Sequence, residues 1–176
     1  RTFKEAFLLT LPVMAGYIVL GIGFGVLLQS KGYNFAWAIL MSLTIYAGSM
    51  QYLAVDLLST GASLLSVALM TLMVNARHLF YSISMLKKYA KTGKKKPLLI
   101  FELTDETFSI ICSAKPPPDI DKNWFYFFIS FLNQIYWIVG SAAGSIFASL
   151  IDFDSSGIEF SMTALFVVTF LEQWLR

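Results

Sequence analysis

The chain has 176 residues, of which 57% are hydrophobic and 14% are charged. A soluble globular domain has about 45–50% apolar and about 25% charged residues, so this composition excludes an ordinary soluble domain. A formal charge of +2 gives no sign of a nucleic-acid partner, and one cysteine excludes an internal disulfide. With Cys112 and His78 as the only residues of their types, we expect no metal and no cofactor.

Long apolar runs divide the chain into candidate membrane helices. A hydrocarbon core of about 30 Å needs roughly 20 apolar residues in a helix. Four runs are long enough, over 6–29, 35–58, 62–86 and 124–151, and a fifth extends over 161–176. We therefore predict an all-α, polytopic integral membrane protein with a single transmembrane domain over residues 1–176.

A basic loop over 87–97 separates the third and fourth runs. It holds six of the 13 Lys and Arg residues, which places it in the cytoplasm. Arg1 and Lys4 place the N-terminus on the same side. Three ordinary crossings would carry the loop to the opposite side, so one of the first three runs is expected not to cross in the ordinary way. The second run is the candidate.

The middle of the second run is weak as a membrane helix, because residues 46–51 are mostly small or polar. Such interruptions mark discontinuous or re-entrant helices in transporters, and the free amides of these helices can hold a substrate carboxylate. Close packing through Ala47, Gly48 and Ser49 explains the same residues equally well.

The third run carries the most informative polar residues. Thr71, Asn75, His78 and Ser82 share one helical face, and Arg77 lies beside it. Arg77 is ten residues from Lys87, so it is roughly 15 Å deep. A guanidinium buried at that depth needs a partner or a function.

The segment 98–113 is too short to span a membrane and has acidic residues at helical spacing. One interpretation is an amphipathic helix on the membrane surface with a solvated acidic face. If the segment instead folds back into the protein, Asp105 and Glu106 are the candidate partners of Arg77.

Paired glycines lie on the first and fourth runs, at Gly21 and Gly25 and at Gly140 and Gly144. Small residues four apart predict close helix packing. Gly-Tyr-Asn-Phe at 32–35 follows the first pair, as Gly-Ile-Glu-Phe at 157–160 follows the second. This echo suggests inverted repeats, which are common in secondary transporters.

No hydrolase, zinc-protease or P-loop motif is present, so no catalytic residue is assigned and we do not expect an enzyme. The chain begins at Arg1 rather than Met and ends at Arg176 inside an apolar run. We therefore expect it to be the N-terminal part of a longer protein.

Several motifs together resemble one family. They are Pro12 followed by Gly-Ile-Gly-Phe-Gly at 21–25, Tyr-Ala-Gly-Ser-Met-Gln at 46–51, Asn-Ala-Arg-His-Leu-Phe-Tyr at 75–81 and Leu-Thr-Asp-Glu-Thr-Phe at 103–108. Their order resembles the AzlC-type large subunit of branched-chain amino acid exporters, from Pro12 to the fifth run.

The resemblance implies a secondary transporter in the bacterial inner membrane, driven by the proton motive force. It would export leucine, isoleucine or valine, and methionine in some members, together with a small AzlD-type membrane subunit. Family members continue past the end of this chain.

We expect the interrupted region to bind the substrate carboxylate, and Arg77 either to add to that site or to pair with Asp105 or Glu106. The expected substrate-binding residues are Tyr46, Ala47, Gly48, Ser49, Met50, Gln51, Asn75, Arg77 and His78. The alternatives are a passive channel, a carrier of another small organic solute, and a scaffold without transport activity.

Overall fold

A computed structural model describes residues 1–151 and, beyond them, residues 157, 160, 164 and 167. The prediction of an all-α membrane fold is confirmed, and within the described residues three helices are long and apolar enough to cross a membrane: α1, α4 and α7. Most of the predicted run 161–176 lies outside the described residues, as do residues 158 and 159 of the glycine echo. The helices within 1–151 are α1 (Thr2–Ser30), α2 (Phe35–Thr44), α3 (Gly48–Ser59), α4 (Leu64–Met85), α5 (Lys96–Phe101), α6 (Asp105–Ser113) and α7 (Lys122–Leu150).

Helices α1 and α7 pack closely and run in the same direction. The hydroxyls of Thr10 and Tyr136 are 3.1 Å apart, and Ser145 donates a 3.0 Å hydrogen bond to Gln29 further along both helices. The four glycines named above lie in this interface. A Cβ atom added to Gly25 or Gly144 would collide with a backbone carbonyl oxygen of the other helix. The glycines therefore allow the two backbones to touch.

The second apolar run is two helices rather than one. Asn34 caps α2 by accepting a 3.1 Å hydrogen bond from the Ala36 amide, and α3 begins at Gly48. Between them, Tyr46 has a φ of 43°, a left-handed conformation that is rare outside glycine. This α2–α3 break, residues 45–47, lies slightly before the interruption predicted near 46–51, because residues 48–51 already form the first turn of α3.

The chain reverses direction at the α2–α3 break. The Gln51 amide donates a 3.3 Å hydrogen bond back to the Ser42 hydroxyl. Tyr52 then donates to the Leu20 carbonyl and packs against Phe24, so α3 runs back toward the end of α1, where α2 began. These contacts are those expected of a re-entrant hairpin, whose position in the membrane remains a prediction.

The segment predicted as one amphipathic helix over 98–113 also has an interruption. Helices α5 and α6 are separated by the α5–α6 break, residues 102–104, and the Thr104 hydroxyl caps α6. The acidic face is only partly solvated, since Glu102 is 1% exposed and Asp105 is partly buried, whereas Glu106 is exposed. It faces tyrosine and arginine side chains of distant helices, which spacing within the segment does not reveal.

The basic loop lies at the same end of the molecule as the N-terminus. The Lys95 ammonium lies 3.1 Å from the ring centroid of Trp124 at the start of α7. Phe128, one turn later, packs against Phe3 of α1. The loop predicted over 87–97 includes a short 3-10 turn, Gly93–Lys95, and the first residues of α5. Both basic regions can therefore face the cytoplasm, as the sequence requires.

Candidate functional site

The two breaks meet at a cavity of about 70 Å³ between the middles of α1, α4 and α7. One water molecule needs about 10–15 Å³ by the same measure, so several could fit. Polar groups and aromatic rings both face this central cavity. Its lining comprises Tyr17, Leu20, Tyr46, Ala47, Gly48, Ser49, Arg77, His78, Thr104, Asp105, Glu106 and Trp137.

Arg77 connects the two breaks across the cavity. One of its terminal nitrogens forms an ion pair with the Asp105 carboxylate, and the other donates a 2.8 Å hydrogen bond to the Ser49 hydroxyl. The Arg77 and Asp105 side chains are 31% and 30% exposed, so neither charge is sealed from the cavity. Arg77 Nε and Asp105 Oδ1 are buried without a hydrogen-bond partner, which leaves unused capacity on both groups.

The N-terminus of α3 lies beside this guanidinium. Ala47 precedes it in an extended conformation and provides no side-chain cap. The first amides of a helix have no intrahelical acceptor and carry a partial positive charge. Together with Ser49 and Arg77, they form a site suited to an anion such as a carboxylate.

Glu106 has a different partner from Asp105. Tyr17 of α1 donates a 2.6 Å hydrogen bond to its carboxylate and shares another 2.6 Å hydrogen bond with the Thr104 hydroxyl. Adjacent residues on a helix point about 100° apart, so the two carboxylates face different helices. The sequence named both as candidates for Arg77, and the ion pair is with Asp105.

Gln51 and Met50 do not line the cavity, although the sequence placed them in the substrate site. Gln51 is fully buried and accepts a 2.8 Å hydrogen bond from the Trp137 indole. Met50 is 4% exposed and lies in the protein interior. The first turn of α3 is oriented so that only Gly48 and Ser49 of that turn face the cavity.

The two other candidates on α4 differ in position. His78 lines the cavity, and its ring centroid is 6.2 Å from that of Tyr81. Asn75 does not line it, although Asn75 Oδ1 is buried without a hydrogen-bond partner.

Sequence reasoning did not assign Tyr17, Leu20, Thr104 or Trp137 to the site. Tyr17 is a polar side chain inside an otherwise apolar membrane run, and that signal could have identified it. Trp137 of α7 packs over Gly48, where an added Cβ would be 3.0 Å from the indole ring.

Membrane proteins, one of them named as a transport protein, are among the relatives of the chain. A branched-chain amino acid transport protein AzlC from Bacillus subtilis is 48% identical over 174 residues, covering 99% of this chain and 68% of that protein. A membrane protein from Haemophilus influenzae is 46% identical, covering 98% of this chain and 71% of the relative. The inner membrane protein YgaZ of Escherichia coli is 28% identical over 152 residues, covering 84% of this chain and 62% of the relative.

No solved structure matches the chain with significant similarity. The family model described as AzlC protein matches residues 12–151, which include both breaks, the glycine interface and every residue that lines the central cavity. The match and the 48% identity agree with the resemblance that the motifs carry, and the chain belongs to the AzlC family.

Proposed function

We propose that the chain is the large subunit of a secondary transporter that exports branched-chain amino acids across the bacterial inner membrane. The proton motive force would drive it, and a small membrane subunit would assemble with it. The observation that carries the proposal is Arg77, which faces a cavity beside the free N-terminus of α3. The transport activity named for the 48% identical relative supports the choice of substrate.

The substrate carboxylate would bind between the Arg77 guanidinium, the Ser49 hydroxyl and the first amides of α3. These donors already converge, because Arg77 and Ser49 are hydrogen-bonded at 2.8 Å. Charge-assisted hydrogen bonds contribute about 1.5–3 kcal/mol each, so the loss of one reduces affinity roughly tenfold or more.

The substrate side chain would contact the apolar part of the cavity lining, which includes Leu20, Tyr46 and Trp137. A pocket of this kind distinguishes substrates that differ by one methylene by only about 1–3 kcal/mol. We therefore expect leucine, isoleucine and valine to compete for one site. The cavity of about 70 Å³ has room for several water molecules, which the substrate would displace on binding.

Proton movement and transport would be coupled because Asp105 and the substrate carboxylate compete for Arg77. Asp105 holds the guanidinium in the structure, and the substrate carboxylate would need the same donors. Protonation of Asp105 would weaken the ion pair and release Arg77 to the substrate. Each change of partner would displace the α5–α6 break relative to the α2–α3 break.

The test is efflux of radiolabelled leucine from preloaded cells that lack their own exporter. The full-length protein would be expressed alone, with its small subunit, and as Arg77→Ala. Arg1→Ala is the matched control, since Arg1 forms an exposed ion pair with Asp119 at the end of the molecule. We expect efflux only with both subunits, loss of efflux with Arg77→Ala or an uncoupler, and no effect of Arg1→Ala.

Two results would contradict the proposal. Wild-type protein that is present in the membrane with its small subunit and moves no leucine, isoleucine or valine would exclude the substrate class. Flux that stops at equal concentrations, whatever the proton gradient, would instead indicate a passive channel.

A further inference from the structure

Several buried polar atoms in the described part of the chain have no hydrogen-bond partner. They include the hydroxyls of Tyr46 and Tyr89, one carboxyl oxygen of Glu102, and side-chain oxygens of Ser130 and Asn133. Buried polar groups are satisfied in most proteins, and ordered water satisfies those that lack a protein partner. Tyr46 lines the central cavity, Tyr89 lies in the basic loop, and both interact with Glu102, so these three groups form a row that is a candidate path for water and protons.

Glu102 is the acidic member of this row. It ends α5 at the α5–α6 break, is 1% exposed, and forms no ion pair within the described residues. It lies outside the three membrane-spanning helices, and burial raises its pKa to about 7. Since burial disfavours the charged form of a carboxyl, this group can hold a proton near neutral pH and release it when its surroundings change.

The groups around Glu102 leave it without a counter-charge. Tyr46 interacts with it from the α2–α3 break, and Tyr89 interacts with it from the loop after α4. The Tyr46 hydroxyl lies near Tyr17 and Thr107 but makes no hydrogen bond of normal geometry. The other titratable groups that interact with these two tyrosines are Tyr17, Glu106, Cys112 and Tyr126. Lys88, the cation that lies over the Tyr126 ring, donates to the Ile111 carbonyl of α6.

The two ends of the row reach different surroundings. Tyr46 lines the central cavity together with Arg77 and Asp105. Tyr89 lies within the basic loop, with its ring centroid 6.0 Å from that of Tyr126 near the start of α7. Glu102 interacts with both tyrosines and therefore lies between the cavity and the end of the molecule that carries the loop.

We propose that Glu102 is a proton-carrying residue of the transport cycle, taking up a proton from the central cavity and releasing it past Tyr89 toward the basic loop. This inference rests on the proposed proton-driven export. The proton that Asp105 binds in the cavity would pass to Glu102, so Asp105 controls Arg77 and Glu102 carries the proton onward. Glu102 begins the α5–α6 break and Asp105 directly follows it, so a displacement of that break moves both carboxyls together.

The first test uses the full-length protein with its small subunit in liposomes. Leucine exchange at equal concentrations needs no net proton movement, whereas accumulation against a gradient does. Glu102→Gln keeps the shape of the neutral acid, so we expect it to retain exchange and to lose proton-driven accumulation. Glu102→Asp keeps a carboxyl and is expected to accumulate leucine with a shifted pH profile. The control, Glu5→Gln, changes a partly exposed acid of α1 and should match the wild type.

The second test requires no substrate. Infrared difference spectra of the same complex, recorded across pH, detect the carbonyl band of a protonated carboxyl. We expect a band that titrates near the pKa of about 7 in the wild type and is absent from Glu102→Gln. This result would stand even if the wild type moved no leucine, so the two proposals can fail separately.

Three outcomes would overturn the inference. One is an unchanged infrared band in Glu102→Gln. Another is wild-type accumulation of leucine by that variant. The third is loss of both exchange and accumulation in Glu102→Gln and Glu102→Asp alike, because a folding or binding role would then account for Glu102.

Discussion

Arg77 is held by residues in the first turns of two helices, Asp105 of α6 and Ser49 of α3, and its side chain is 31% exposed. An ion pair with this degree of burial loses part of its Coulomb energy to desolvation, so its presence alone does not measure its contribution. The Arg1–Asp119 pair of the same chain provides a comparison, because its side chains are 68% and 47% exposed.

A double-mutant cycle measures how much each of these two ion pairs contributes to the free energy of unfolding. We expect Arg77→Gln and Asp105→Asn each to lower the free energy of unfolding by about 1–3 kcal/mol, because each leaves a partner unsatisfied. The double variant should lose less than the sum, by roughly 1 kcal/mol. Thermal and denaturant unfolding in detergent provide the values. The same cycle on Arg1 and Asp119 should give coupling of about 0–1 kcal/mol, and additive losses at Arg77 and Asp105 would show that their contact has no energetic role.

The sequence located the important charges but could not assign their partners. Asp105 and Glu106 are adjacent, and only the positions of Arg77 and Tyr17 on other helices determine which carboxylate each one contacts. Glu102 was counted with a solvated acidic face, because burial depends on how α5 packs against other elements. Packing also explains why Gln51 does not line the cavity. Its side chain is hydrogen-bonded to Trp137 and Ser42, which the sequence does not reveal.

At the scale of helices, the four interface glycines determine how close α1 and α7 come. The backbone at Gly25 lies against the Ser141 carbonyl, and that at Gly144 lies against the Ile22 carbonyl. Gly16 is on α1 as well, but an added Cβ there would meet no atom within 4 Å. Gly16→Ala is therefore a matched control for the intrinsic effect of replacing glycine by alanine in a helix.

We expect Gly25→Ala and Gly144→Ala to destabilise the protein strongly, since rigid backbone cannot move aside for a methyl group. Overpacking of this kind costs about 1–3 kcal/mol or more. Gly16→Ala should be neutral or slightly stabilising, because alanine is favoured over glycine in a helix by up to about 1 kcal/mol. Thermal unfolding of the three variants in detergent tests this, and equal melting temperatures would contradict the described interface.

The helix boundaries show which breaks a sequence can predict. The α2–α3 break was expected from the small and polar residues at 46–51. The α5–α6 break has no glycine or proline to mark it. Its signal is Thr104 followed by Asp105 and Glu106, a cap with acidic residues in the first turn, which is a typical helix start. That signal was present in the sequence but was interpreted as part of one continuous helix.

At the scale of the whole molecule, the directions of the helices determine the topology. Helices α1 and α7 are parallel, and the basic loop lies beside the start of both. Helix α4 leads into that loop, so we expect it to cross in the opposite direction. The segment between α1 and α4 would then begin and end on one side of the membrane, and the re-entrant arrangement of 35–58 stays a prediction.

Thiol labelling tests this topology. In a background with Cys112→Ser, single cysteines would replace Lys31 before α2, Thr60 after α3 and Lys91 in the basic loop; all three positions are exposed. We expect a membrane-impermeant reagent to label positions 31 and 60 from outside intact cells, and position 91 only after permeabilisation. If α2 and α3 together crossed the membrane, positions 31 and 60 would react from opposite sides.

The glycine interface also has a mechanical consequence. Helices separated by long side chains can slide past one another by changing rotamers, which is the basis of shear motions. In α1 and α7 the backbones meet directly at Gly25 and Gly144, so a slide of one residue, about 1.5 Å, would push a neighbouring Cβ into a carbonyl group. The pair therefore resists shear and forms a stiff frame. If the cavity opens and closes as the proposed transport requires, we expect the shorter helices to rotate about their hydrogen bonds to that frame, at Tyr17 and Trp137.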